Sequence, residues 1–248
     1  MNDSERTLPR LGQNLYYPST KSGPLPATMY DYREYCPIAK ASQLLGERWT
    51  LLIIRELLCG TTRFNQLRRY LPRISPTLLK SRLSLLEAEG IVARVRSADR
   101  DSYEYALTAS GRALESVLMT LGQWATEWQF DKFKNDEIFI DTMMRDLELT
   151  LVASAMPGSR TVLKFLLDVD EQIEAWYVVI EGEQIEACDD ERGFDVDVYL
   201  NATPRVICDI LIRKIPLKTA MTDGRLKITG SRAHINAIDD WFGLAPYV

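Results

Sequence analysis

The 248-residue sequence holds a single histidine, His234, and four cysteines, Cys36, Cys59, Cys188 and Cys208, no two of which form a C-x-x-C pair. Zinc sites of ordinary spacing need clusters of these residue types, so that chemistry is excluded. Any Ser-His or Cys-His catalysis would have to rest on His234 alone. The scattered cysteines do not form a disulfide framework and predict a reducing compartment, the cytoplasm. Long apolar runs are missing as well. The longest uncharged stretches, residues 149–159 and 116–126, have eleven residues each, against the roughly 20 that a membrane helix needs. The first ten residues, MNDSERTLPR, lack an apolar core segment, so neither a secretory signal nor a membrane partner is expected. A glycine-rich phosphate loop is absent too, and no cofactor or metal is expected.

The composition, 46% hydrophobic and 26% charged, is that of a globular protein, and the length predicts one large or two ordinary domains. The net charge of −5 hides an asymmetry. Residues 131–248 carry 22 acidic groups against 13 basic ones. Residues 61–100 carry nine basic groups (Arg63, Arg68, Arg69, Arg73, Lys80, Arg82, Arg94, Arg96, Arg100) against three acidic ones (Glu87, Glu89, Asp99). A basic patch on an acidic protein suits a polyanion. On charge alone, an Arg-rich solvated face is the plainer reading.

Residues 1–29, with Pro9, Pro18, Pro24 and Pro26, read as a flexible N-terminal arm. Helical stripes follow. Residues 35–45 have Pro37 in the first turn and Gly46 at the stop. Residues 48–59 are apolar on most sides and predict a central buried helix. Phe64, Leu67 and Leu71 face inward from a short third helix. Ser75 reads as an N-cap with Pro76 at the first helical position, opening a helix over 76–89 whose core face is Leu79, Leu83 and Leu86. Its opposite face offers Thr77, Lys80, Ser81 and Ser84, with Arg82 to one side. A short helix, a tight turn and a helix with a polar outer face form a helix-turn-helix, whose second helix fits a major groove about 12 Å wide. Residues 91–95 and 103–107 read as a hairpin, a wing, with Arg96 and Arg100 near its tip. Thr108 caps a predicted helix over 109–128, roughly 30 Å long. Its stripe of Leu114, Val117, Leu118, Leu121, Trp124 and Trp128 calls for a second copy to cover it.

Beyond residue 130 the texture changes. A helix is predicted near 139–155, strands at 161–169, 175–181, 183–188, 194–200 and 225–229, a helix capped by Thr203 over 204–213, and a last helix capped by Ser231 and ending at 241–243. The expected architecture is a mainly α winged helix-turn-helix domain (30–130) followed by an α+β domain with a largely antiparallel sheet (131–248).

Cys36-Pro37-Ile38, Gly46-Glu47-Arg48-Trp49-Thr50, Phe64-Asn65-Gln66-Leu67, Ile74-Ser75, Gly90-Ile91-Val92 and Tyr105-x-Leu107-Thr108-x-x-Gly111 together resemble the HxlR-type winged helix-turn-helix transcriptional regulators. The resemblance covers about 35–128. It implies a homodimer that binds double-stranded operator DNA as a repressor or activator, not an enzyme. The arm and the extra C-terminal domain depart from most members. That domain, with Asp223-Gly224-Arg225-Leu226-Lys227-Ile228-Thr229-Gly230 and a closing amphipathic helix, resembles the sterol-carrier type. This implies an apolar tunnel and an apolar small-molecule effector.

The candidate DNA-binding residues are Ser75, Thr77, Lys80, Ser81, Arg82, Arg96 and Arg100. Cys36, at the start of the first helix, is a candidate redox sensor, because the positive end of a helix favours an anionic thiolate; a small packing residue is the plainer alternative. Phe165, Trp176, Tyr199, Trp241 and Phe242, together with Tyr177, either line a pocket or fill an ordinary core. Asp195 and Asp197 share one predicted strand face, which suits acid–base work or plain exposure. A winged helix serving as a protein-interaction or dimerisation module is the remaining alternative.

Overall fold

Leucines spaced three and four apart decide where the first helices of the chain bury themselves. The structure, a computed structural model, describes residues 32–97, 102–133, 138–190 and 193–243. The expected arm and Arg100 lie outside the described residues. The chain divides into two compact units, Met1–Ala113 and Leu114–Val248, so the helix after Ala113 groups with the second unit.

In the first unit, α1 (Pro37–Leu45) starts at a proline and buries no residue. α2 (Thr50–Leu58) is the central helix, with Ile53 and Ile54 fully buried. At its entry Trp49 takes a left-handed conformation, φ 78, with the Arg48 guanidinium 5.1 Å from its ring. α3 (Phe64–Tyr70) buries Leu67. α4 (Pro76–Ala88) is capped by the Ser75 hydroxyl, which accepts from the Leu78 N–H at 3.2 Å, and it buries Leu79, Leu83 and Leu86. β1 (Val92–Arg96) and β2 (Tyr103–Leu107) pair antiparallel from Val92↔Leu107 to Arg96↔Tyr103. α5 (Ala109–Arg112) follows, capped by Thr108, whose hydroxyl donates to the Gly90 carbonyl at 2.7 Å. Only glycine fits at Gly111, where a Cβ would stand 2.3 Å from the Ile91 carbonyl oxygen. The single helix expected over 109–128 is therefore two, interrupted at Ala113 and Leu114.

The second unit begins with α6 (Glu115–Trp128), a 3₁₀ turn at Phe130–Lys132 and α7 (Ile140–Thr150). Five strands follow, β3 (Arg160–Val169), β4 (Gln172–Glu181), β5 (Gln184–Cys188), β6 (Val198–Ala202) and β7 (Lys227–Gly230), in the order β5-β4-β3-β6-β7. The β3–β6 pairing is parallel and the others are antiparallel, the largely antiparallel sheet expected. The β3–β4 hairpin turns on Asp170 and Glu171, both left-handed at φ 49 and 66. Helices α8 (Pro204–Leu211), α9 (Leu217–Thr222) and α10 (Arg232–Asn236) complete the unit; α9 lies where no helix was expected.

Strand alternation sends Leu163, Phe165 and Leu167 to one face with Trp176, Val178, Ile180 and Leu200, where Met144, Leu147, Ile207 and Ile210 complete the core. Each such side chain contributes about 1.5–3 kcal/mol by leaving water. The other face carries a smaller cluster of Val162, Tyr177 and Cys188, with Phe194 against it. α7 stops at Thr150, short of the expected 155. Backbone groups at that point pair with the chain's last described segment: Val152 N–H donates to Trp241 O at 2.8 Å and Gly243 N–H to Thr150 O at 2.7 Å. The last helix likewise breaks after Asn236 into a 3₁₀ turn, which delivers Trp241 into the core. Ser231 makes no side-chain cap there.

Candidate nucleic-acid interface

The cap at Ser75 orients α4 so that its leucines enter the core and the remaining face meets solvent. Ser75, Thr77, Lys80, Ser81 and Ser84 are all exposed. The last four sit at helical spacing i, i+3, i+4 and i+7, a single stripe. Sequence reasoning therefore placed Ser75, Thr77, Lys80 and Ser81 on one face, and the structure brings them together.

Arg82 has a different place. Its Nη2 donates to the Glu47 carboxylate at 2.5 Å and its Nε to the Arg48 carbonyl at 3.1 Å. The side chain is 12% exposed. It braces α4 against the α1–α2 turn rather than facing outward. This corrects the expectation of a phosphate contact. The partner lies 35 positions away, so no local signal pointed to it.

Sequence reasoning left Arg68, Arg69 and Arg94 out of its candidates, yet all three are exposed. The first two follow the buried Leu67 on α3. Arg94 alternates with the inward residues of β1 and stacks on Tyr103, 4.1 Å from the ring. Arg96, at the end of the ladder, is exposed as expected. Both signals, helical and strand period, were present in the sequence.

One carboxylate ties the wing to the helix-turn-helix. Glu104, on β2, accepts from Arg63 Nε at 3.0 Å, from the Ser97 hydroxyl at 3.1 Å and from the Thr62 hydroxyl at 3.3 Å. The neighbouring Tyr105 N–H donates to the Thr62 carbonyl at 2.8 Å. The Arg63 hydrogen bond holds the Glu104 carboxyl below its ordinary range; burial opposes the shift, and Ser97, Thr62 and the Arg63 charge reinforce it.

Cys36 is exposed at the N-cap of α1. Cys188 is buried, and burial, with Asp146 and Asp209 nearby, pushes the Cys208 thiol up to about 12. His234 is buried with Nε2 3.0 Å from the Thr161 hydroxyl. Asp197 accepts from the Val162 N–H at 2.8 Å, whereas Asp195 is exposed. Both residues precede β6. Among the described residues, no group of three or more His, Cys, Asp or Glu side chains is placed to hold a metal ion, and no helix is long and apolar enough to cross a membrane.

Of the aromatic residues in the second unit, Phe165, Trp176 and Trp241 are core, and Phe242 packs against them. Tyr199 is 42% exposed, on the opposite face of β6 from Val198 and Leu200. The pleat therefore removes it from any pocket with the other four, a correction, and Tyr177 also belongs to the opposite face. The Trp241 indole N–H is buried without a hydrogen-bond partner among the described residues.

Comparison with known proteins agrees with this arrangement. Residues 44–133 match the model of the HxlR-like helix-turn-helix family, and residues 146–240 match the SCP-2 sterol transfer family. The HTH-type transcriptional regulator YvaP of Bacillus subtilis (strain 168) is 42% identical over 97 residues, covering 38% of this chain and 90% of YvaP. The regulator YodB of the same organism is 38% identical over 95 residues, covering 38% of this chain and 85% of YodB. The regulator Mb3122 of Mycobacterium bovis is 46% identical over 92 residues, covering 37% of this chain and 58% of Mb3122. The structure of reduced YodB is 34% identical, covers 40% of this chain and 98% of YodB, and superposes with a TM-score of 0.36. With an exposed polar stripe on α4, a basic wing beside it and 90% of YvaP matched at 42% identity, the chain belongs to the HxlR-like helix-turn-helix family of transcriptional regulators, and it carries a C-terminal SCP-2 unit.

Proposed function

We propose that this chain is a homodimeric transcriptional regulator that binds operator DNA through α4 and the wing, acting by binding rather than by turnover. The observation that carries this reading is the outer stripe of α4, Thr77, Lys80, Ser81 and Ser84, exposed beside Arg68, Arg69, Arg94 and Arg96. Hydroxyl and ammonium groups on a helix of this size reach base edges and phosphates in a major groove, and the wing arginines suit phosphates or the minor groove.

Two features support the dimer. Val117, Leu121, Trp124 and Trp128 line one side of α6 and are 46–61% exposed. α1 buries no residue, and its Ile38 is 75% exposed. Apolar surface of this kind is covered by a partner, most simply a second copy related by a two-fold axis.

Control comes from an apolar small molecule in the SCP-2 unit or from modification of Cys36. The SCP-2 family match supports the first, and the exposure of the Cys36 thiol supports the second. Structures of the relative YodB include a reduced, a quinone-bound and a diamide-treated form. The four thiols fit a cytoplasmic setting.

Fluorescence anisotropy against DNA from upstream of the protein's own gene, with scrambled DNA as control, tests the reading. Selective binding that weakens by about 10³–10⁵ between 50 and 200 mM salt is expected for six to ten neutralised phosphates, with the recognition helices of a dimer about 34 Å apart. Equal, weak binding to both DNAs, with or without a fatty acid, overturns it in favour of a protein-interaction module.

A further inference from the structure

A two-stranded hairpin standing alone in water is marginally stable at best. A wing can place arginines on DNA only if the rest of its domain holds it. The base of this wing is held by Thr108, which bonds the Gly90 and Ile91 carbonyls, and by Gly111, which lets α5 pass close to Ile91. Its outer half is tied to the helix-turn-helix through Glu104.

The Glu104 carboxylate receives one donor from each of three places. Arg63 is the N-cap residue of α3, Thr62 lies in the loop leading to it, and Ser97 closes the far end of β1. Glu104 itself stands on β2 opposite Val95. The Tyr105–Thr62 backbone bond runs beside this cluster. One carboxylate thus spans both strands of the wing and the start of the helix-turn-helix. Arg94 and Arg96 flank Val95 on the strand it steadies.

We propose that Glu104 is a positioning residue that fixes the angle of the wing against α4, so that Arg94 and Arg96 meet the nucleic acid at the same time as Lys80 and Thr77. The inference rests on the DNA-binding reading above and names the device that makes the two contact surfaces act together. Glu104 touches no nucleic acid itself. Charge-assisted hydrogen bonds to a carboxylate are short and directional, so three of them set an orientation as well as adding stability.

The test compares wild type, Glu104→Ala and Glu104→Gln as full chains, by anisotropy against upstream DNA across a salt series and by amide hydrogen exchange without DNA. The glutamine keeps acceptor geometry for the hydroxyl donors and loses the charge. In Glu104→Ala, operator affinity should fall about tenfold, and the salt slope should become shallower by about one to two as the wing contacts disengage. Glu104→Gln should recover part of both. The Ser97 and Tyr105 amides, which donate to Ser102 O and Thr62 O, should exchange faster in the alanine variant, with the α4 amides unchanged.

A loss of affinity with the slope intact, or faster exchange throughout the first unit, would mean general destabilisation and overturn the proposal. So would unchanged exchange at Ser97 and Tyr105. Wild-type protein that binds neither DNA overturns the regulator reading and this role with it. Wild-type binding left unaltered in both variants overturns only the role of Glu104.

Discussion

The first unit, Met1–Ala113, carries 17 basic and 11 acidic residues, and the second, Leu114–Val248, carries 13 and 24. In each unit some charges of the scarcer sign are held in ion pairs. Glu47 holds Arg82, Glu56 holds Arg55 and Glu104 holds Arg63 in the first. In the second, Arg145 bonds Glu148, Arg205 bonds Asp209 and Lys214 bonds Asp131. Each pair removes one charge of each sign, so the composition sets the asymmetry: exposed Arg68, Arg69, Lys80, Arg94 and Arg96 give α3, α4 and the wing of the first unit a basic face, and the second unit keeps an acidic excess. The acidic unit cannot compete for a polyanion, so DNA has one face to choose.

The sharpest way to break this comparison is to damage one unit and watch the other. Phe165→Ala empties a fully buried site in the sheet core and should cost about 3–5 kcal/mol. Calorimetry should show the transition of the second unit falling while that of the first stays in place. A common shift of both would show that they fold as one.

Next comes charge on the positive face. Lys80→Glu, at an exposed position, should weaken operator binding about 5–150-fold, the equivalent of about 1–3 kcal/mol, with the melting temperature unchanged. The measurement is anisotropy beside a thermal melt, and a variant that binds as wild type removes Lys80 from the interface.

Arg82→Ala sharpens the contrast between arginines. It leaves the Glu47 carboxylate, 18% exposed, without its partner and should destabilise the first unit by about 1–3 kcal/mol, read by urea unfolding. Arg68→Ala, on the exposed face of α3, should leave stability alone and reduce DNA affinity.

Acid gives the smallest effect. The Glu104 carboxyl titrates below its ordinary value of 4.5. Its stabilisation of the wing is therefore fully present above that value and is lost as pH falls through the lower folded value. Asp131, lowered by Lys214, and Asp223, lowered by Arg225, shift in the same direction. Wing amides should gain exchange below pH 4.5 before α4 does, followed by exchange with mass or NMR detection.

Local rules made much of the first unit legible. Pro76 and Ser75 marked the start of α4 to the residue, and leucine spacing identified its buried face. The hairpin of 91–95 and 103–107 is displaced by a single residue on its first strand. What escaped depends on distant partners. Arg82 turns to Glu47 through the tertiary fold. β6 returns beside β3 in parallel after the β4–β5 hairpin, whereas local turn signals announce only neighbours. Tyr199 was grouped with Phe165 by its aromatic character, although its register places it on the opposite face. α7 and the last helix stop early because residues 150–152 and 241–243 pair with each other, a contact between segments some 90 positions apart.

Glu148 on α7 has a consequence for solubility. Its Oε1 accepts from the Ala187 N–H at 2.6 Å. Ala187 lies on β5, at the edge of the sheet, where outward N–H groups form a template on which another chain's strand can grow. A carboxylate seated on that donor stops the ladder from extending there, because an incoming strand would have to displace a charged acceptor. At Ala187 the β5 edge therefore offers an incoming strand a donor that is already taken.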